Sequence, residues 1–187
     1  MVRLPSGKTY LEPAVLLERL EISLAMRVGI FGAGGSGYFT LQAAEMVGSK
    51  GRVYAVDIFK PNLSALWAIA KFRGMDRMIR CVWSDLEIYG AAKRIKNESL
   101  DRGVLVNVLH QSKKQKEMLR ECSRTLKKEG RLLVIDWVTA GFVFGPQEKN
   151  IVTRERVKQL ATSLGLALMD DFKAGQFHYG LIFTKIS

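Results

Sequence analysis

The stretch Val28-Gly29-Ile30-Phe31-Gly32-Ala33-Gly34-Gly35-Ser36-Gly37 holds the residues with the clearest chemical potential, because an apolar run there feeds a glycine-rich turn. Glycines after a strand let the chain turn sharply and let a ligand approach backbone that a Cβ would block, while the helix that follows aims free N–H groups at that ligand. A second apolar run, Val53-Tyr54-Ala55-Val56, ends on Asp57, 20 residues beyond Gly37. A carboxylate at that distance can accept hydrogen bonds from both ribose hydroxyls of an adenosine-containing cofactor. Counted from Gly32, the spacing Gly32-x-Gly34-x-x-Gly37 also satisfies the dinucleotide fingerprint, which leaves NAD or FAD as a candidate.

These groups have to be placed by strands and helices. Pro13, followed by Val15, Leu16, Leu17 and Leu20, predicts a short amphipathic helix, preceded by an N-terminal flap at Lys8 to Glu12. Leu41, Ala44 and Val47 mark one face of the helix after the glycine turn, and Pro61 opens another with Leu66, Ile69 and Phe72 inward. Met78 to Trp83 reads as a third strand, and Val104 to Leu109 as a central parallel strand interrupted by Asn107. A polar stretch from Leu86 to Ser99 lies between them, predicted as loop with some helix. Ser112 and Gln115 predict a capping box for a helix ending at Gly130, and Arg131 to Trp137 a fifth strand. Thr153 caps a last helix, after which Leu166 to Phe172 and His178 to Lys185 form an antiparallel hairpin. Five strand and helix alternations closed by one hairpin predict an open, doubly wound α/β sheet in a single domain over residues 1–187, with residues 1–25 as flap and first helix.

Composition narrows the classes. With 187 residues, 48% of them hydrophobic, the chain can bury one sizeable core. Cys81 and Cys122 share no CxxC or Cys/His spacing, so neither a disulfide framework nor a metal site is predicted. The start of the chain lacks an apolar signal region, and no apolar segment reaches the roughly 20 residues of a membrane span, which predicts a cytoplasmic protein. A net charge of +11 favours encounter with polyanions. Lys116, Arg120, Arg124 and Lys128 recur every four residues on one predicted helix face, a possible RNA contact.

The glycine stretch, extended to Tyr38-Phe39-Thr40, resembles the first motif of the class I S-adenosylmethionine (SAM) dependent methyltransferases, and further motifs resemble that family in order along the chain. They are Val53 to Asp57 for the ribose, Trp83-Ser84-Asp85 for adenine, Val106 to His110 after strand four, and Leu126 to Asp136 through strand five. The set resembles the small-molecule and quinone/sterol branch most. The resemblance implies a mostly parallel seven-stranded sheet in the order 3-2-1-4-5-7-6, whose last strand inserts antiparallel. It also implies SAM as cofactor, held by Gly32, Ala33, Gly34, Gly35, Ser36, Gly37, Asp57, Ile58, Ser84, Asp85 and Asn107. Family members usually carry an acid two positions before the first motif glycine, where this chain has Ile30.

Methyl transfer from a sulfonium is an in-line displacement, so the protein chiefly holds the nucleophile near the methyl group and excludes water. Asn107 and His110 fall where strand four opens onto the substrate side, and an imidazole there has the chemistry of a general base. Tyr10 and Phe142 are candidate lids, while His178 is expected to pack at an edge. The acceptor reads as a small molecule, because Asn107-Val108-Leu109-His110 lacks the prolines of a base N-methylation motif. An RNA methyltransferase, or a relative with the fold and no catalysis given Ile30, stays open.

Overall fold

The computed structural model describes residues 11–139 and 145–186. The elements run α1 (Pro13–Arg19), β1 (Arg27–Phe31), α2 (Tyr38–Val47), β2 (Arg52–Asp57), α3 (Lys60–Phe72), β3 (Ile79–Trp83), β4 (Leu100–Val106), α4 (Gln115–Thr125), β5 (Leu126–Trp137), α5 (Arg154–Thr162), β6 (Leu166–Lys173) and β7 (His178–Lys185). The sheet order is β3-β2-β1-β4-β5-β7-β6. β1 pairs parallel with β2 and β4, and β4 with β5, while β7 runs antiparallel between β5 and β6. That inserted antiparallel strand is the arrangement the sequence motifs imply, in place of the sixth parallel strand of a dinucleotide-binding domain.

The central strands are apolar on both sides because both sides are covered. Leu16, Leu17, Phe39, Ala43, Val47 and Leu66, from α1, α2 and α3, pack with Val28, Ile30, Val53 and Val104 on one face. Met118, Leu119, Cys122, Val157 and Leu160, from α4 and α5, pack with Phe31, Leu105, Val134 and Leu181 on the other. Ile30, 3% exposed, belongs to the first of these cores. β6 forms one sheet edge and carries Asp170 and Asp171, paired with Arg19 and Arg154 respectively, charges that discourage a further strand from adding there.

Local signals place several boundaries. Pro13 opens α1, and the Thr153 hydroxyl accepts from the Arg156 N–H at 3.2 Å to cap α5. Four expectations are corrected. Phe72 is 92% exposed, because α3 buries Leu63, Leu66 and Ala70 instead. The helix predicted to reach Gly130 ends at Thr125, and β5 begins at once with Leu126. No helix forms between Leu86 and Ser99. The capping box does not form, since Ser112 Oγ accepts from Lys114 N at 2.8 Å and donates to Glu87 Oε1 at 2.6 Å, leaving Lys114 as the N-cap.

Candidate functional site

The parallel strands end on one edge of the sheet, and there the loop after β1 folds back on β2. Gly32 N and Ala33 N donate to Val56 O at 2.8 and 2.9 Å, and Gly34 N donates to Asp57 Oδ2 at 2.9 Å. Asp57, 8% exposed, also accepts from Phe59 N at 2.8 Å through Oδ1 and from Asn62 Nδ2 at 3.3 Å through Oδ2. A carboxylate has about four acceptor positions. Three are taken here, and the Asn62 bond is long enough to yield to a ligand hydroxyl. Asp57 thus orders the start of α3 and the glycine loop while keeping capacity for a donor from the cleft.

Gly32, Gly34, Asp57, Ile58, Ser84, Asp85 and Asn107 line one cleft of about 380 Å³, together with Asn62, Gln111 and Met118. Ser84 Oγ and Asn107 Oδ1 are buried there with no hydrogen-bond partner among the described residues. Unpaired buried polar atoms of this kind call for a ligand or solvent. Asn107 has φ +55°, a left-handed geometry that turns the chain out of β4, and its N–H donates to Ile135 O at 2.9 Å. At the far wall Asp85 Oδ1 accepts from Glu87 N at 2.8 Å, and Trp83 Nε1 donates to Ile58 O at 2.8 Å.

The other predicted loop residues, Ala33, Gly35, Ser36 and Gly37, do not line this cleft. Ala33 is buried in the core, Ser36 is exposed, and a Cβ on Gly35 would meet Asn62. A Cβ on Gly37 would collide with Leu66 of α3, so this glycine permits helix packing. Tyr10 and Phe142 lie outside the described residues. The basic ridge also dissolves. Lys128 belongs to β5, and Arg124 is 7% exposed at its side chain, forked onto Glu121 at 2.7 and 2.8 Å. Arg120 lies over the Tyr89 ring at 4.4 Å.

His110, in a turn of 3-10 helix (Leu109–Gln111), gains a partner that local spacing does not announce. Its Nδ1 sits 2.9 Å from Asp136 Oδ1, and its backbone N–H donates to Asp136 Oδ2 at 3.3 Å. Asp136 is buried at the end of β5 and also accepts from Trp137 N at 2.9 Å. His178 is not at an edge: it opens β7, 5% exposed, with its ring 4.2 Å from that of Trp137. Burial pulls its pKa down from 6.5 to about 4, with Asp136 opposing and the His110 charge reinforcing that shift. Among the described residues neither of its ring nitrogens has a hydrogen-bond partner. Asn62, Gln111 and Asp136 are the functional candidates that sequence reasoning missed. Asp136 alone left a trace there, as the acid closing the fifth apolar run.

An antiparallel β7 within a doubly wound sheet, a glycine loop after β1 and an acid closing β2 define the class I SAM-dependent methyltransferases, with a cleft whose donors and acceptors suit an adenosyl ligand. The chain belongs to the methyltransferase family, whose domain model matches residues 31–134, more than half of its length. Its cofactor is SAM. A SAM-dependent methyltransferase from Aquifex aeolicus superposes with TM-score 0.84 at 20% identity, covering 98% of this chain and 94% of that one. A putative type 11 methyltransferase from Sulfolobus solfataricus matches with TM-score 0.70 at 20% identity over 95% and 94%. The 1,6-didemethyltoxoflavin-N1-methyltransferase of Burkholderia thailandensis, solved with 1,6-didemethyltoxoflavin and S-adenosylhomocysteine, matches with TM-score 0.70 at 20% identity over 94% and 76%. No curated protein matches the chain in sequence. Among the described residues no helix is long and apolar enough to cross a membrane, and no group of metal-ligating side chains occurs.

Proposed function

We propose that the chain methylates a small molecule, with SAM lying along the cleft from Asp85 to Gly34. In this reading Asp57 takes the ribose diol, Ile58 and Ser84 flank the adenine, and Asp85 accepts from its amino group. Gly34 and Asn107 border the methionine part. One observation carries the reading: Asp57 and Gly34 are joined by a 2.9 Å hydrogen bond on the wall of the same cleft, so the ribose acid and the open glycine backbone face one ligand. Ile30 is compatible with this, because its side chain points into the core and leaves the cleft wall to Asp57, Gly34 and Asn107.

A small acceptor is favoured over RNA because the four-residue basic repeat does not form one helix face: Arg124 turns inward onto Glu121, and Lys128 lies in β5. The Burkholderia neighbour is named as the N1-methyltransferase of 1,6-didemethyltoxoflavin. Calorimetry with SAM, S-adenosylhomocysteine and NADH tests the assignment. The first two are expected to bind and NADH not, and Asp57→Ala is expected to weaken S-adenosylhomocysteine by about tenfold or more, the worth of a charge-assisted hydrogen bond. Unchanged affinity in that variant refutes the role given to Asp57. An RNA acceptor would instead show binding that falls steeply with salt.

A further inference from the structure

The polar groups at the ends of β4, β5 and β7 are not explained by cofactor binding. His110 and Asp136 form a buried dyad beside the cleft: side-chain exposures are 15% and 1%, and the ring nitrogen lies 2.9 Å from the carboxylate. A carboxylate only accepts, so the hydrogen bond puts a proton on Nδ1 and leaves the Nε2 lone pair of the neutral ring available. Asp136 is itself held by the backbone N–H groups of His110 and Trp137, which fix its carboxylate before any ligand arrives. His110 sits between Asn107 and Gln111, both on the cleft wall, where the acceptor must approach the methyl group.

We propose that His110, positioned by Asp136, removes the proton from a neutral acceptor bearing a phenolic O–H or an aromatic ring N–H. The proposal rests on the SAM reading above and names its substrate class. The acceptor oxygen or nitrogen attacks the methyl carbon, the carbon–sulfur bond breaks with its electron pair left on sulfur, and the acceptor proton passes to His110 Nε2. The imidazolium is stabilised by Asp136 and returns the proton to water once the methylated product has left. Only one proton leaves overall, and no oxidant or reductant is needed. An acceptor that is already an anion, or an amine with a free lone pair, would have no use for the dyad.

The probe is 4-nitrophenol, whose anion absorbs visible light, added to protein saturated with S-adenosylhomocysteine at a pH below the probe's own pKa. Nitrophenolate is expected to appear in proportion to bound probe. His110→Asn, whose amide can still donate to Asp136, is expected to lower the bound anion about tenfold or more. Calorimetry of S-adenosylhomocysteine on the same samples, with near-ultraviolet circular dichroism as a fold control, separates the two readings. Failure of that ligand to bind wild-type protein overturns the cofactor assignment. Normal binding of it with no nitrophenolate up to the solubility of the probe, or with equal nitrophenolate in His110→Asn, overturns the dyad alone. Should His110→Asn lose its fold, His110→Gln and Asp136→Asn are read by the same criteria.

Discussion

Substituting Gly34 by alanine separates a glycine kept for ligand access from one kept for the backbone. Gly34 has φ +63°, and an added Cβ would meet nothing within 4 Å. The protein should therefore lose only the left-handed penalty of a non-glycine residue, roughly 1–2 kcal/mol. The empty space beside that Cβ belongs to the cleft, however, and an added methyl group where a ligand must pack costs about 1–3 kcal/mol of binding, or about ten- to a hundredfold in affinity. Gly74 supplies a matched control, because it has φ +68°, equally open surroundings and no place in the cleft. Urea unfolding should give Gly34→Ala and Gly74→Ala the same loss of stability within about 0.5 kcal/mol. Calorimetry should show weakened S-adenosylhomocysteine binding for Gly34→Ala alone. Equal affinity in the two variants would refute the placement of the ligand against Gly34, and a much larger stability loss at Gly34 would show that the glycine is structural.

Two further outcomes follow from buried charge. Glu121 is fully buried and accepts from Arg124, from Gly90 N at 2.7 Å and from Ala92 N at 3.1 Å, so it pins the loop after β3 onto α4. Glu121→Ala strands Arg124 and should cost about 3–5 kcal/mol in urea unfolding, whereas a loss below about 1 kcal/mol would show that the pair is replaceable. His178, facing Asp136 and His110, has a folded pKa of about 4 against 6.5 when exposed. The unfolded chain therefore binds the extra proton between those values, and stability is full above pH 6.5, falls as pH drops towards about 4, and is flat below that for this group. The loss should total about 2 kcal/mol after solvent screening, and His178→Phe should flatten the slope. An unchanged slope in that variant would assign it to other groups.

The chain displayed in its order of residues several features that are set by neighbours a few positions apart. The glycine turn, Asp57 at the end of β2, the proline and threonine helix starts and the closing hairpin are each decided by local backbone geometry. Alternation of strand and helix, with a hairpin last, then admits few topologies, and the sheet order follows. What tertiary structure alone decided is which side chains meet across elements. Nothing in the spacing shows that Arg124 turns inward to Glu121 while Phe72 turns out, because a helical pattern gives a face and not its neighbour. Likewise Asp136 lies 26 residues from His110 and reaches it only because β5 pairs parallel beside β4, bringing both strand ends to one edge of the sheet. Asn62 and His178 are of the same kind: their roles depend on strand register and helix docking, which are long-range terms absent from any short window of sequence.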